Sequence, residues 1–157
     1  MVLEQTLEAV DVPVVAAGGI GSAERVEGLF SMGAAGVRIG TRFIAATECE
    51  AHPRYVEALI AATRADTVVT EVFGVDWPDA PHRVLRSALE AVERFEGDVV
   101  GSIGAWQMPR ASSVPPTLNT EGEIGAMALY AGESVDAVRR VASAAEIVAE
   151  LVGPPPP

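Results

Sequence analysis

Two short glycine-containing segments, separated by one predicted helix, have the residue types that bind an anion. Each follows an apolar run typical of a buried strand. Glycine lets the backbone approach a ligand closely, and amides at a strand end or a helix N-terminus bind phosphate groups, to which a threonine hydroxyl adds a donor. Two such segments, one strand–helix unit apart, predict a shared phosphate site. The residues that this reasoning singles out are Gly18, Gly19, Gly40 and Thr41.

Strands and helices alternate around these segments. The apolar runs at 12–17, 36–44 and 66–73 are short, which predicts strands buried on both faces. Helical periodicity follows each run, with Ser22 as the N-cap of the first helix and Pro81 at the first position of the last. This alternation predicts an α/β fold with about three parallel strands joined by helical crossovers.

Composition divides the chain into four consecutive segments. The first carries the strand–helix alternation and the phosphate-binding loops of a partial β/α barrel. The second is rich in Gly, Ser and Pro, which predicts a long loop. The third has the periodicity of two C-terminal helices, at 121–131 and 134–151, and the fourth is a proline run, which predicts a disordered tail. In order, the segments are residues 1–96, 97–120, 121–152 and 153–157.

Charge, cysteine content and length exclude several classes of function. The 157 residues carry a net charge of −11, which argues against binding to nucleic acid or to an anionic membrane. A single cysteine, Cys49, excludes an intrachain disulfide and a multi-cysteine metal site. Together with the lack of a basic signal segment, it favours a cytoplasmic protein. A complete eight-fold β/α barrel needs about 200 residues or more, so this chain is too short to form one.

One stretch resembles a known family. The sequence PVVAAGGIGSAERVEGLFSMGAAGVRIGTRFIAATE is similar to the phosphate-binding half of the nitronate monooxygenases, formerly called 2-nitropropane dioxygenases. The similarity continues through DTVVTEVFG, WPDAPHRVLRSALEAV and MALYAGESVDAVRRV. The resemblance implies the C-terminal part of a TIM-type (β/α)8 barrel that is incomplete in this chain. It also implies an FMN cofactor and an enzyme that oxidises alkyl nitronates with O2.

The resemblance assigns roles to the glycine segments. Gly19, with Gly18 beside it, matches the glycine whose backbone meets the FMN phosphate. The segment that completes that site is matched by Arg38, Ile39, Gly40 and Thr41. Arg38 is a departure, because a neutral residue such as Gln is common there. We weigh a contact between its guanidinium and the phosphate equally against a solvent-facing side chain. Residues 130–134 resemble a loop that approaches the active-site mouth.

No catalytic residue is assigned to this chain. The family's catalytic histidine lies in a Gly-Gly-His segment upstream of everything present here, and neither His52 nor His82 matches it. Both histidines are expected to be surface or capping residues. The sequence has no metal-binding motif. We therefore expect this chain to carry the FMN-phosphate site and to be inactive in isolation.

Two alternatives remain open. The chain is a non-catalytic truncated fragment or a half-barrel that needs a partner, as a helix without an N-cap at its start and three strands with exposed edges suggest. Such edges also predict self-association. Otherwise it belongs to another phosphate-binding barrel, either an FMN-dependent enoyl reductase or a relative of IMP dehydrogenase. The sequence does not identify the substrate or decide whether NAD(P)H is used.

Overall fold

The computed structural model describes residues 2–75 and 77–153. The described helices are α1 (Val2–Ala9), α2 (Ala23–Ser31), α3 (Thr41–Ile44), α4 (Pro53–Ala61), α5 (Arg86–Arg94) and α6 (Ala144–Val152). The strands are β1 (Val15–Ala17), β2 (Gly36–Arg38), β3 (Thr67–Thr70), β4 (His82–Leu85), β5 (Val99–Ile103), β6 (Trp106–Pro109) and β7 (Thr120–Gly122). None of the described helices is long and apolar enough to cross a membrane. The tail predicted at 153–157 lies outside the described residues, apart from Gly153.

The unit β1–α2–β2 has the predicted order, but the strand predicted at 36–44 is wrong beyond Arg38, because Thr41–Ile44 forms the helix α3. Strands β1 and β2 are parallel, with Val15 opposite Gly36. The crossover helix begins where expected, because the Ser22 hydroxyl accepts a hydrogen bond from the backbone N–H of Arg25 at 3.2 Å. Its apolar stripe, which includes the buried Val26, faces the core. The two strands therefore end at the same edge of their sheet.

The third predicted strand forms, but it is not parallel to the first two. Strand β3 pairs antiparallel with β4, in a segment for which the sequence predicted the first turn of a helix. That helix, α5, begins only at Arg86. Residues 82–85 stay extended because they have backbone partners on both sides. Besides β3, the N–H of Leu85 donates to the Leu129 carbonyl at 2.9 Å, and the Arg83 carbonyl accepts from Ala131 at 3.1 Å.

The loop predicted at 97–120 is wrong for its first half, which forms a β-hairpin, whereas residues 110–119 are largely irregular. Strands β5 and β6 form an antiparallel hairpin that turns at Gly104, whose φ is +57°. Strand β7 adds to the other edge of β5. A Cβ on Gly101 would lie 2.2 Å from the Glu121 carbonyl oxygen. Glycine at this position therefore allows the two strands to pair closely and does not indicate a loop.

The two predicted C-terminal helices are replaced by one helix and irregular segments. Residues 121–131 begin in β7 and continue through a 3-10 turn at Ile124–Ala126 into a buried extended segment that pairs with β4. Between 134 and 151 a 3-10 turn at Val135–Ala137 comes first, and α6 begins only after Ser143. The reason is local: Ser143 and Glu146 form a reciprocal capping box that fixes the start of this helix.

The core consists of two clusters. The first packs α2 and α6 beside β1 and β2 and therefore supports the glycine segments. Its large buried side chains include Ile20, Val26, Leu29, Ile147 and Leu151. The second cluster joins α4, α5 and β4 to the β5 sheet. Its largest fully buried side chains are Leu59, Phe73, Leu85, Met108 and Met127.

Polar contacts attach α6 to the chain that follows β2. The Arg42 side chain is 3% exposed and donates to the Arg140 carbonyl at 3.3 Å and to the Glu150 carboxylate at 3.2 Å. At the other end of α6, the Glu48 carboxylate accepts the N–H of Ala144 at 2.9 Å. That bond, with a second from the Thr47 hydroxyl, lowers the pKa of Glu48 below its ordinary value of 4.5.

The Glu48 contact predicts a specific loss of stability in acid. Because the folded-state pKa lies below the unfolded one, the contribution is complete above pH 4.5 and disappears as the pH falls through the folded value. We expect Glu48→Gln to flatten the decline in the free energy of unfolding between about pH 5 and about pH 3. Urea unfolding at each pH measures this. Glu57→Gln, an exposed change on α4, is the control, and equal slopes in both variants would contradict the assignment.

Candidate functional site

All six candidate residues meet in one cleft at the carboxyl ends of β1 and β2. The cleft has a volume of about 290 Å³. Besides the candidates, its lining residues are Ala17, Ile20, Gly132 and Ser134. The parallel pairing of β1 with β2 explains the convergence, because it brings the segments that follow the two strands to one edge. A third wall comes from the segment around Gly132, which lies 91 residues after Thr41 in the chain.

The two consecutive glycines are required by backbone conformation. Gly18 has a φ of +91° and Gly19 a φ of +65°, a region that disfavours residues with a side chain. At both positions, and at Gly40, no described atom lies within 4 Å of the place a Cβ would occupy. The backbone of these three residues therefore borders open space, where a ligand can reach it.

The Thr41 hydroxyl is oriented by a contact from the third wall. Its Oγ1 accepts a hydrogen bond from the backbone N–H of Gly132 at 3.0 Å. A Cβ on Gly132 would lie only 3.0 Å from that oxygen, so the approach depends on glycine. Since Oγ1 acts as the acceptor in this bond, the hydroxyl hydrogen is left to donate to another group.

The third wall packs closely against the loop after β1 as well. A Cβ on Gly21 would lie 2.6 Å from the Ala137 Cβ and 3.0 Å from the Ser134 Cβ. The sequence did not single out Gly21 or Ser134 for these contacts, although residues 130–134 were noted as a loop near the active-site mouth. The glycine in GGIGS was the available signal for Gly21, because a third glycine so close to the pair indicates a close approach.

The charge of the cleft favours an anion. Arg38, which is exposed, is the one charged residue in the described lining, and that lining includes no carboxylate. This is notable in a chain with a net charge of −11. The first amides of α3, at Thr41 and Arg42, lack intrahelical acceptors because they occupy the first turn. Within the described residues, no group of three or more His, Cys, Asp or Glu side chains is arranged to hold a metal ion.

The two histidines lie away from the cleft. His52 caps α4, as its Nδ1 accepts the N–H of Arg54 at 3.1 Å, so the expectation of a capping role is confirmed. The same expectation is wrong for His82, which is 8% exposed because it lies in β4 and not at a helix start. Its Nδ1 donates to the Ala80 carbonyl at 2.8 Å, and its Nε2 has no hydrogen-bond partner among the described residues. The ring stacks on Trp77 with an interplanar angle of 11°.

A second cleft lies beside β1. It has a volume of about 270 Å³ and is formed by α1, β1 and α2. Val15, in β1, is 58% exposed. In the described part of the chain, β1 pairs only with β2, so its other edge presents unpaired backbone groups next to an apolar surface. This edge is suited to pairing with a further strand.

The backbone geometry predicts that two glycine-to-alanine changes in the cleft differ in cost. Gly19→Ala places a methyl group in open space at a positive φ, which costs about 1–2 kcal/mol of unfolding free energy. Gly40→Ala also adds a methyl group in open space, but its φ is −106°, so we expect a change within about 0.5 kcal/mol. Urea unfolding measures both, and equal losses would show that conformation is not the reason for glycine at position 19.

Comparison with known proteins places the chain in a family. A family profile described as nitronate monooxygenase matches residues 1–153. A probable nitronate monooxygenase of Bacillus subtilis is 26% identical over 149 residues, which is 95% of this chain and 42% of that protein. The chain therefore spans less than half the length of this curated relative.

Two solved structures share the fold. FabK from Thermotoga maritima has a TM-score of 0.67 and 27% identity, over 95% of this chain and 46% of that one. A nitroalkane oxidase from Streptomyces ansochromogenes has a TM-score of 0.67 and 26% identity, over 95% of this chain and 41% of that one. With the profile match over nearly all of its residues, the chain belongs to the nitronate monooxygenase family, a family of oxidoreductases.

Proposed function

We propose that the cleft binds the phosphate group of FMN. The observation that carries this proposal is the composition of the lining, which combines one guanidinium, one oriented hydroxyl and two positive-φ glycines with no carboxylate. Although the chain carries a net charge of −11, the described lining of this cleft contains no negative charge, which suits a phosphate.

The residues present fit a phosphate at one end of a larger cofactor. The backbone of Gly18 and Gly19 would border it on one side, and the α3 amides with the Thr41 hydroxyl would donate to it on the other. Arg38 is exposed and close enough to the lining to add a charge-assisted contact. Pockets that enclose a whole ligand have volumes of about 300–1,000 Å³, so a cleft of about 290 Å³ accommodates part of a flavin nucleotide.

The complete enzyme would oxidise alkyl nitronates with O2, with the flavin supplying the redox chemistry when bound. The residues of this chain bind and orient the cofactor. Neither His52 nor His82 lines the cleft, so no proton transfer is assigned to them. The proposed catalytic histidine is the one that the family resemblance places upstream of the matched segments.

The free edge of β1 supports a second proposal, that the site is completed by further strands. The described residues form one parallel strand pair and close no barrel. The exposed Val15 and the apolar cleft beside it are the surface that another strand would cover. On this proposal the chain is non-catalytic without those strands, and it contributes the phosphate end of a site whose other parts they bring.

The phosphate assignment predicts a preference for FMN over riboflavin, which has no phosphate. We expect Thr41→Ala to weaken FMN binding about tenfold and to leave riboflavin binding unchanged, because it removes a hydrogen bond to a charged group. Titration with each flavin, followed by quenching of flavin fluorescence, measures both affinities. Thr47→Ala, an exposed change outside the cleft, is the matched control. Equal affinity of the unmodified chain for the two flavins would contradict the proposed site.

The division of the active site predicts that chain 1–157 supplied with FMN does not oxidise nitronates faster than free FMN does. The physical reason is that the lining provides phosphate contacts but no histidine. Oxygen consumption with a simple alkyl nitronate measures the rate. Turnover by this chain above the free-FMN rate would show that the chemistry does not need further residues.

A further inference from the structure

The third wall of the cleft is held in place from the side opposite the glycine segments. We call residues 132–137 the closing segment. On its cleft side the N–H of Gly132 donates to Thr41, and Ser134 lines the cavity. On its other side, charged groups attach it to β4 and to the 3-10 turn at Arg64–Asp66.

Glu133 is the centre of these charged contacts. One of its carboxylate oxygens lies 3.2 Å from the Arg83 guanidinium, and the other lies 3.0 Å from the Arg64 guanidinium. Arg83 also donates to the hydroxyl of the buried Thr67 at 3.1 Å, so its side chain is fixed on β3 as well. A carboxylate shared by two guanidiniums on different elements forms a network, which holds geometry better than an isolated surface pair.

Further bonds connect the closing segment to the same two elements. The backbone N–H of Arg64 donates to the Asp136 carboxylate at 3.0 Å. The N–H of Ala131 donates to the Arg83 carbonyl at 3.1 Å. Gly132 lies between these anchors and has no side chain of its own to fix it. Its N–H therefore takes its direction from its neighbours, and Glu133 is the adjacent residue.

The pairing also neutralises a carboxylate next to an anion site. Glu133 follows Gly132 directly, and an unpaired negative charge there would oppose a phosphate in the cleft. The side chain is 43% exposed, and the Arg83 side chain 30%, so both charges are partly withdrawn from water. With two guanidiniums on one carboxylate, the negative charge of Glu133 is compensated.

We propose that Glu133 is a positioning residue for the phosphate cleft. Its ion pairs with Arg83 and Arg64 hold the Gly132 N–H on Thr41 Oγ1, and this bond directs the Thr41 hydroxyl hydrogen into the cleft. The inference rests on the proposed function, because the group that this hydroxyl serves is the phosphate.

Amide hydrogen exchange in the absence of flavin tests the first step. Glu133→Gln keeps the size of the side chain and removes its charge, and we expect the Gly132 amide to exchange about fivefold faster. The matched control is Glu90→Gln, which removes the same charge from an exposed ion pair with Arg94 at 3.8 Å on α5. An unchanged Gly132 exchange rate in Glu133→Gln would overturn the inference.

The ratio of FMN affinity to riboflavin affinity tests the second step. We expect this ratio to fall about fivefold in Glu133→Gln and to stay unchanged in Glu90→Gln. Loss of a negative charge alone would raise this affinity ratio. General destabilisation would weaken the binding of both flavins equally and leave the ratio unchanged. Only lost positioning of the Thr41 hydroxyl lowers it. A ratio that stays constant or rises overturns the inference and leaves the proposed function intact. An unmodified chain with no preference for FMN overturns the proposed function, and the inference with it.

Discussion

The parallel pairing of β1 with β2 is the contact on which the candidate site depends. Three residue pairs, from Val15 opposite Gly36 to Ala17 opposite Arg38, bring both glycine segments to one sheet edge. A shift of register by one residue would move the side chains of each strand to the opposite face and separate the segments. Strands this short are not stable alone, so α2 and α6 stabilise the pair by packing beside it.

The helix α6 connects this pair to the rest of the site. It buries Ile147 and Leu151 in the cluster that supports the glycine segments. Its carboxylate at Glu150 accepts from the buried Arg42, the residue directly after Thr41. An uncompensated buried guanidinium would be costly, so this ion pair restricts where α3 can lie. The Thr41 hydroxyl is therefore positioned by two contacts. Helix α6 holds the neighbouring Arg42, and the Gly132 N–H donates to Thr41 Oγ1.

Sequence patterns predicted the half of the fold that local interactions determine. The unit from β1 to β2 could be predicted because its cap, its glycines and its crossover helix are signals within about one strand–helix unit. The second half of the fold could not be predicted from such local signals. Strand β4 is extended because of partners on β3 and in residues 129–131, and a single chain shows no local trace of such pairings. The burial of His82 was missed for the same reason, because a residue in a paired strand has different neighbours from a residue at the start of a helix.

The candidate site was predictable to a similar extent. Positive φ at Gly18 and Gly19 agrees with the reason glycine was singled out there. The role of Glu133 could not be inferred, because its two arginine partners are 50 or more residues distant and belong to elements whose arrangement was not predicted. Long-range ion pairs have no sequence period, so the structure is needed to find them.

A cleft that binds only one end of a cofactor contributes to the affinity for that cofactor but not to the rate of the chemical step at its other end. The groups proposed to contact a phosphate are backbone amides, a hydroxyl and a guanidinium, all of which act as hydrogen-bond donors. Their interaction with a phosphate is the same before and during a reaction at the far end of the cofactor. Such uniform binding lowers the cofactor concentration that the protein requires but does not accelerate the chemical step. The acceleration must therefore come from groups beyond this cleft, and the open edge of β1 is where the described residues leave room for them.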